Sequence, residues 1–138
     1  MSAYVTTVPV RFGHVDPAGI VYFPRIFDYI HDAFESMWEE HVGQRYYQLL
    51  LERRIGFPLV HSEVDFKSPL RFGASPEVRI TCFRLGTTSL GMRYRFSLDG
   101  VESIDARMTT VCVHTKSMEK QPIPDEFRPH FESIRETL

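Results

Sequence analysis

The feature that most limits the folds open to this chain is a single change of period. Between Tyr22 and His41 the apolar residues recur at helical spacing, and from Leu59 to Lys116 they alternate in twos. Four segments carry the alternation: Leu59 to Ser68, Glu77 to Leu85, Ser89 to Leu98 and Glu102 to Lys116. An earlier segment, Tyr4 to Phe12, also alternates, with Tyr4, Thr6, Val8, Val10 and Phe12 on one face. Pro9 removes a ladder donor there and places that strand near an edge. The predicted class is α+β: an antiparallel sheet of about five strands with one long helix packed on it.

The helix is predicted in more detail. Pro24 suits its first turn, where the missing N–H costs little, and Gly43 is a natural stop. At 100° per residue, Phe23, Phe27, Ile30, Phe34, Trp38 and His41 form one narrow stripe, widened by Ile26, Ala33 and Met37. Arg25, Asp28, Asp32, Glu35 and Glu39 occupy the opposite arc. About 18 residues at roughly 1.5 Å each make a rod near 27 Å long, which needs a broad apolar surface to lie on. Gln44 to Arg54 reads as a second, shorter helix. Asp99-Gly100 is a strong hairpin signal, and Asp125 to Leu138 reads as a weak terminal helix. One helix covers one face of a sheet, so a partner subunit is expected over what remains.

With 138 residues the chain is expected to form one domain spanning 1–138. Sixteen basic and eighteen acidic residues leave a net charge of −2, which lacks the electrostatic footprint of a nucleic-acid binder. No apolar run approaches the ~20 residues that span a bilayer. Residues 1–10 show no basic and apolar leader pattern, and Cys82 and Cys112 sit inside strand-like stretches. A cytoplasmic address without a disulfide framework is therefore expected, with neither nucleic acid nor membrane as partner.

Chemistry concentrates in Phe12 to Pro24. Asp16 stands in an Asp-Pro-Ala-Gly turn between a strand and the start of the long helix. Small residues Ala18 and Gly19 leave room for a close approach to the backbone. The helix start at Tyr22-Phe23-Pro24 offers free N–H groups and the positive end of the dipole. A carboxylate as nucleophile or base, beside N–H groups able to hold an oxyanion, is a two-part kit for acyl transfer. Asp in such a turn equally serves to shape the turn itself.

The block Phe12-Gly13-His14-Val15-Asp16-Pro17-Ala18-Gly19-Ile20-Val21-Tyr22-Phe23-Pro24 resembles the signature of the 4-hydroxybenzoyl-CoA thioesterase type of hotdog-fold proteins. Leu85-Gly86-Thr87-Thr88-Ser89-Leu90 and Pro122-Ile123-Pro124 are similar to that family as well, though only the first block is diagnostic. The resemblance implies a hotdog fold, with a curved sheet wrapped around the long helix. It implies dimers that join sheets edge to edge, often paired into homotetramers, with active sites at the dimer interface. It implies hydrolysis of an acyl-CoA, favouring a small aromatic acyl group such as hydroxybenzoyl. Asp16 matches the catalytic carboxylate, and the backbone N–H of Phe23 matches the donor that polarises the thioester carbonyl. Gly19 and Tyr22 match positions that shape the acyl pocket. No metal or separate cofactor is implied, coenzyme A being part of the substrate. His14 departs from the acidic residue common at its position; protonated, it would favour ionised Asp16.

Other residues have weaker claims. His31, at the edge of the apolar stripe, would touch a bound acyl ring or simply be a satisfied core residue. Ser89 would reach the thioester or the pantetheine, or serve its turn alone. His61, Glu63 and Asp65 share one strand face, more consistent with a solvated face than with a metal site. Arg84, Arg93, Arg95, Arg107 and Lys116 include candidates for the CoA phosphates. Three alternatives stay open: an acyl-carrier-protein thioesterase, a thioesterase for short aliphatic esters, and a non-catalytic acyl-thioester binder.

Overall fold

A computed structural model describes residues 2–137; Met1 and Leu138, the ends of the expected 1–138 domain, lie outside the described residues. Five strands form one antiparallel sheet: β1 (Tyr4–Thr7), β3 (Leu59–Phe66), β4 (Glu77–Leu85), β5 (Ser89–Leu98) and β6 (Val101–Val111), in the order β1-β4-β5-β6-β3. A two-stranded ladder joins β2 (Ile55–Gly56) to β7 (Val113–His114). The helices are α1 (Arg25–Ser36), α2 (Tyr46–Glu52) and α3 (Arg128–Glu132). The predicted class, a long helix on a five-stranded antiparallel sheet, is the one observed.

Local sequence explains most boundaries. Asp99 and Gly100 both take positive φ, 51° and 79°, as a tight hairpin between β5 and β6 demands. α1 continues through a π-helical turn, Met37–Val42, and stops at Gly43, whose φ of 85° is left-handed. The strand expected to run to Lys116 instead breaks at Cys112, whose N–H donates to Thr88 C=O. The expected Tyr4 to Phe12 strand ends at Thr7. Val8 and Val10 remain buried, but Phe12 opens a 3₁₀ turn and is 76% exposed, edge-on to Phe72.

The core lies between α1 and the inner face of the sheet. Leu90, Met92, Tyr94 and Phe96 of β5 and Ile104, Ala106 and Met108 of β6 are buried there. From the helix side come Ile26, Tyr29, Ile30, Ala33, Met37 and Trp38. The buried stripe is thus rotated from the predicted one: Tyr29 is buried, whereas Phe23 and Phe27 are 62% and 42% exposed. Trp38 anchors the far end, with Phe127 and Phe131 edge-on to it at 5.2 and 5.5 Å.

The outer face of the sheet does not need an apolar cover. It carries a paired network in which Arg93 grips Asp105 through Nε (2.9 Å) and Nη2 (2.6 Å) and approaches Glu136 at 3.5 Å. The uncovered apolar surface lies instead at one sheet edge. β4's edge is filled by β1 and then by the C-terminal segment, which exchanges hydrogen bonds with Cys82 from Ile134 and Glu136. β3, at the opposite edge, pairs among the described residues with β6 alone, and Leu59, Val60 and Phe66 are each at least half exposed. Among the described residues, no helix is long and apolar enough to cross a membrane.

Candidate active site

The segment singled out in sequence folds into a short hairpin leading into α1. Tyr22 N–H donates to His14 C=O (2.9 Å), Val15 and Val21 form a bridge, and Asp16 N–H donates to Ile20 C=O (2.9 Å). Asp16 to Gly19 close a turn through Gly19 N–H to Asp16 C=O (2.9 Å). Gly19 holds φ of 80°, a conformation that side chains disfavour. Val21 N–H donates to Leu70 C=O, which fastens the hairpin to the rest of the fold.

Asp16 is half-buried. Its Oδ1 accepts from Ala18 N–H at 2.9 Å, and its Oδ2 has no partner among the described residues. The side chain therefore does what the turn requires with one oxygen and leaves the other available. Seven residues on, the helix entry supplies a donor. Tyr22 C=O accepts from Arg25 N–H and Phe23 C=O from Ile26 N–H, whereas Phe23 N–H has no partner among the described residues. Pro24, with φ of −64° and ψ of −22°, already has helical geometry and no N–H of its own. The Phe23 amide is therefore the free donor at the positive end of a long helix.

His14 makes its side-chain contact with Tyr29. Its Nδ1 lies 2.9 Å from the hydroxyl of Tyr29, a buried residue on the second turn of α1. Burial pushes the Tyr29 phenol above its ordinary range, so it stays an O–H. The contact pins the hairpin that carries Asp16 to the helix that presents Phe23. Tyr22 is 51% exposed and stands edge-on to Phe23 at 5.5 Å.

Two clefts lie in line along a groove between α1 and β3. The first, ≈ 360 Å³, lies beside the hairpin, against Ile20, Phe23, Ile26, Phe66 and Ile104. The second, ≈ 340 Å³, lies further along, against Phe27, Phe34, Tyr46, Phe57 and Tyr94. Phe23, Phe27, Ile30 and Phe34 share one helix face, and Ile104, Met108 and Thr110 share one face of β6, so the two clefts follow one another between the same helix and strand. The aromatic rings that sequence assigned to core thus line this groove.

His31 joins the second cleft, stacked on Phe34 at 5.9 Å and 3.8 Å from Glu35. Ser89 lines neither cleft: at about 3.3 Å per residue it is some 23 Å along β5 from Phe96, which pairs with Ile104 of the first cleft, although the next residue, Leu90, pairs with Thr110 of the second. Of the basic candidates, Arg93 is committed to Asp105 and Glu136, and Arg107 lies over the Phe83 ring at 5.6 Å. His61 pairs with Glu63 at 3.1 Å on an exposed strand face. Cys82 and Cys112 are both buried, and burial pushes the Cys82 thiol up to about 11. Tyr94 and Tyr46 were not singled out in sequence; for Tyr94 the available signal was a hydroxyl-bearing side chain in the inward register of β5, and Tyr46, at the start of α2, carried none.

Comparison with known proteins places this geometry in context. The chain matches the family described as the thioesterase-like superfamily over residues 10–131. It is 30% identical over 129 residues to a 1,4-dihydroxy-2-naphthoyl-CoA hydrolase of Gloeothece citriformis, covering 91% of this chain and 87% of the relative. The crystal structure of a thioesterase-superfamily protein from Jannaschia sp. CCS1 superposes with a TM-score of 0.92 at 31% identity, covering 99% of this chain and 95% of that one. A gentisyl-coenzyme A thioesterase superposes with a TM-score of 0.82 at 27% identity, covering 94% and 99%.

Proposed function

The chain belongs to the thioesterase-like superfamily, with the hotdog fold, and from that premise we propose that it hydrolyses CoA esters of small aromatic acids to the free acid and CoA. The observation that carries this reading is an Asp16 carboxylate oxygen without a partner among the described residues, on the hairpin whose Ile20 and Val21 line the first cleft, together with an unpartnered N–H on Phe23, which lines the same cleft. Relatives named for dihydroxynaphthoyl-CoA and gentisyl-CoA support the aromatic class.

In the proposed mechanism the thioester carbonyl oxygen accepts from Phe23 N–H. Charge that develops on that oxygen is held by a donor fixed in place before the reaction, which is worth on the order of 10²-fold or more. The free oxygen of Asp16 attacks the carbonyl carbon, the C–S bond breaks, and CoA leaves as the thiolate. Water then cleaves the mixed anhydride and regenerates the carboxylate. In the other form of the same mechanism, Asp16 takes a proton from water, and the hydroxide attacks directly. Gly19 and Tyr22 shape the entry to the groove. The Tyr29 contact makes His14 a positioning residue for the hairpin.

The same reading includes a homodimer, and a homotetramer beyond it. The open edge of β3, with exposed Leu59, Val60 and Phe66, supports pairing with a second copy. Such pairing would cover the groove beside Phe23 and Phe27 and exclude water from it.

Thiol release from a panel of CoA esters tests the substrate class: 4-hydroxybenzoyl, benzoyl, phenylacetyl, short-chain and long-chain. Aryl esters are expected to exceed both aliphatic classes in kcat/KM by about tenfold or more. Equal or faster turnover of the aliphatic esters, or none of any ester, overturns the reading.

A further inference from the structure

The second cleft contains one polar feature that packing does not explain. Tyr94 is 1% exposed, and its hydroxyl makes no hydrogen bond to a protein group among the described residues. The side-chain polar atoms sealed from solvent without a partner are Trp38 Nε1 and Arg95 Nε, so the Tyr94 hydroxyl is not among the sealed groups. It opens onto the cleft that Tyr94 lines. Phe27, Ile30, Phe34 and Met108 give that cleft apolar walls, with His31 at its exposed side. A hydroxyl that opens onto a largely apolar cleft is solvated there only by cleft water, which a ligand oxygen of matching geometry can replace.

The neighbouring hydroxyls are already engaged. Tyr46 accepts from Phe57 N–H at 2.9 Å, and Thr110 donates to Leu90 C=O at 3.2 Å. Burial keeps the Tyr94 phenol protonated far above the ordinary range, with Tyr46 close enough to add to the effect. What faces the cleft is therefore a neutral O–H donor. The cleft opens at Phe27, one helical turn or about 6 Å beyond Phe23, so a ring whose carbonyl sits at Phe23 N–H points along the groove towards it.

We infer that Tyr94 is a specificity-determining residue, donating a hydrogen bond to an oxygen substituent on the aryl ring of the acyl group. The inference rests on the proposed thioesterase reading and deepens it by naming the substituent class. Both named relatives act on hydroxylated aryl groups, a chemistry that would supply the missing partner.

The test compares Tyr94→Phe with wild type on 4-hydroxybenzoyl-CoA, 1,4-dihydroxy-2-naphthoyl-CoA and unsubstituted benzoyl-CoA. The variant keeps the ring and removes the donor. Its kcat/KM for a hydroxylated ester relative to benzoyl-CoA is expected to fall by about three- to tenfold, with benzoyl-CoA itself little changed. An unchanged ratio on both hydroxylated esters, or equal losses on all three, overturns the assignment. Wild type that turns over none of them overturns the thioesterase reading instead. Calorimetric binding of 4-hydroxybenzoate and benzoate then decides the role of Tyr94. A preference for the hydroxylated acid that Tyr94→Phe abolishes upholds it, and no preference overturns it.

Discussion

Tyr46 and Tyr94 present their hydroxyls to the same cleft, yet removing each should have opposite consequences. In Tyr46→Phe the ring keeps its edge contact with Phe34 (4.9 Å) and its packing on Trp38 (5.8 Å). What is lost is the acceptor for Phe57 N–H, at 2.9 Å, in a residue only 4% exposed. A buried donor left without a partner costs about 1–3 kcal/mol. At roughly 3 °C of Tm per kcal/mol for a chain of this length, Tm should fall by about 3–10 °C. In Tyr94→Phe no protein hydrogen bond is lost, so stability should stay within about 0.5 kcal/mol of wild type. Urea titration and thermal melts at one protein concentration measure both, the fixed concentration removing any contribution from subunit association. Equal stabilities in the two variants, or a larger loss in Tyr94→Phe, would refute the assignment of these hydroxyls.

Other expectations follow from the same contacts. Asp105→Asn breaks the doubly bonded Arg93 pair, whose side chains are only 16% and 11% exposed, but leaves Glu136 beside Arg93; equilibrium unfolding should show a loss of about 2–3 kcal/mol at neutral pH. The Arg93 guanidinium holds the Asp105 carboxyl below its usual range, so this stabilisation is full above the unfolded pKa of about 3.9 and is lost as pH falls through the lower folded value. Acid titration of stability should accordingly be flatter below about pH 4 in Asp105→Asn. Gly19→Ala forces a side chain into φ of 80° with only Arg71 Nη1 nearby, at 4.0 Å; about 1 kcal/mol of stability should be lost through backbone strain alone, together with activity as Asp16 shifts. Lysine at both Val60 and Ser62, on the open edge of β3, should shift sizing-column elution from dimer to monomer; an unchanged dimer would place the interface elsewhere.

Much of this architecture was legible in sequence, and the reasons are local. β5 declared itself because Leu90, Met92, Tyr94 and Phe96 alternate cleanly, and its hairpin because Asp99-Gly100 suits two left-handed residues in succession. Helical periodicity identified α1 but not the rotation of its buried face. Phe23 and Phe27 are apolar enough to count as core, and only the groove beside β3 explains their exposure. The Asp16 turn was legible because Asp-Pro-Ala-Gly encodes its own hydrogen bonds. The His14–Tyr29 contact depends on how distant segments pack, which no local pattern records. Tyr94 lay in plain view as an inward residue of β5. That it lines the second cleft depends on packing against α1 and α2.

The central claim is that the Asp16 carboxylate acts on a thioester held at the helix entry. Asp16→Asn tests it most directly, because the amide oxygen can still accept from Ala18 N–H and preserve the turn. With fold and oligomeric state verified, kcat/KM for the best aryl-CoA ester should fall by at least about 10²-fold, read as thiol release. Turnover within a few-fold of wild type would contradict the account and leave Asp16 a residue of the turn alone.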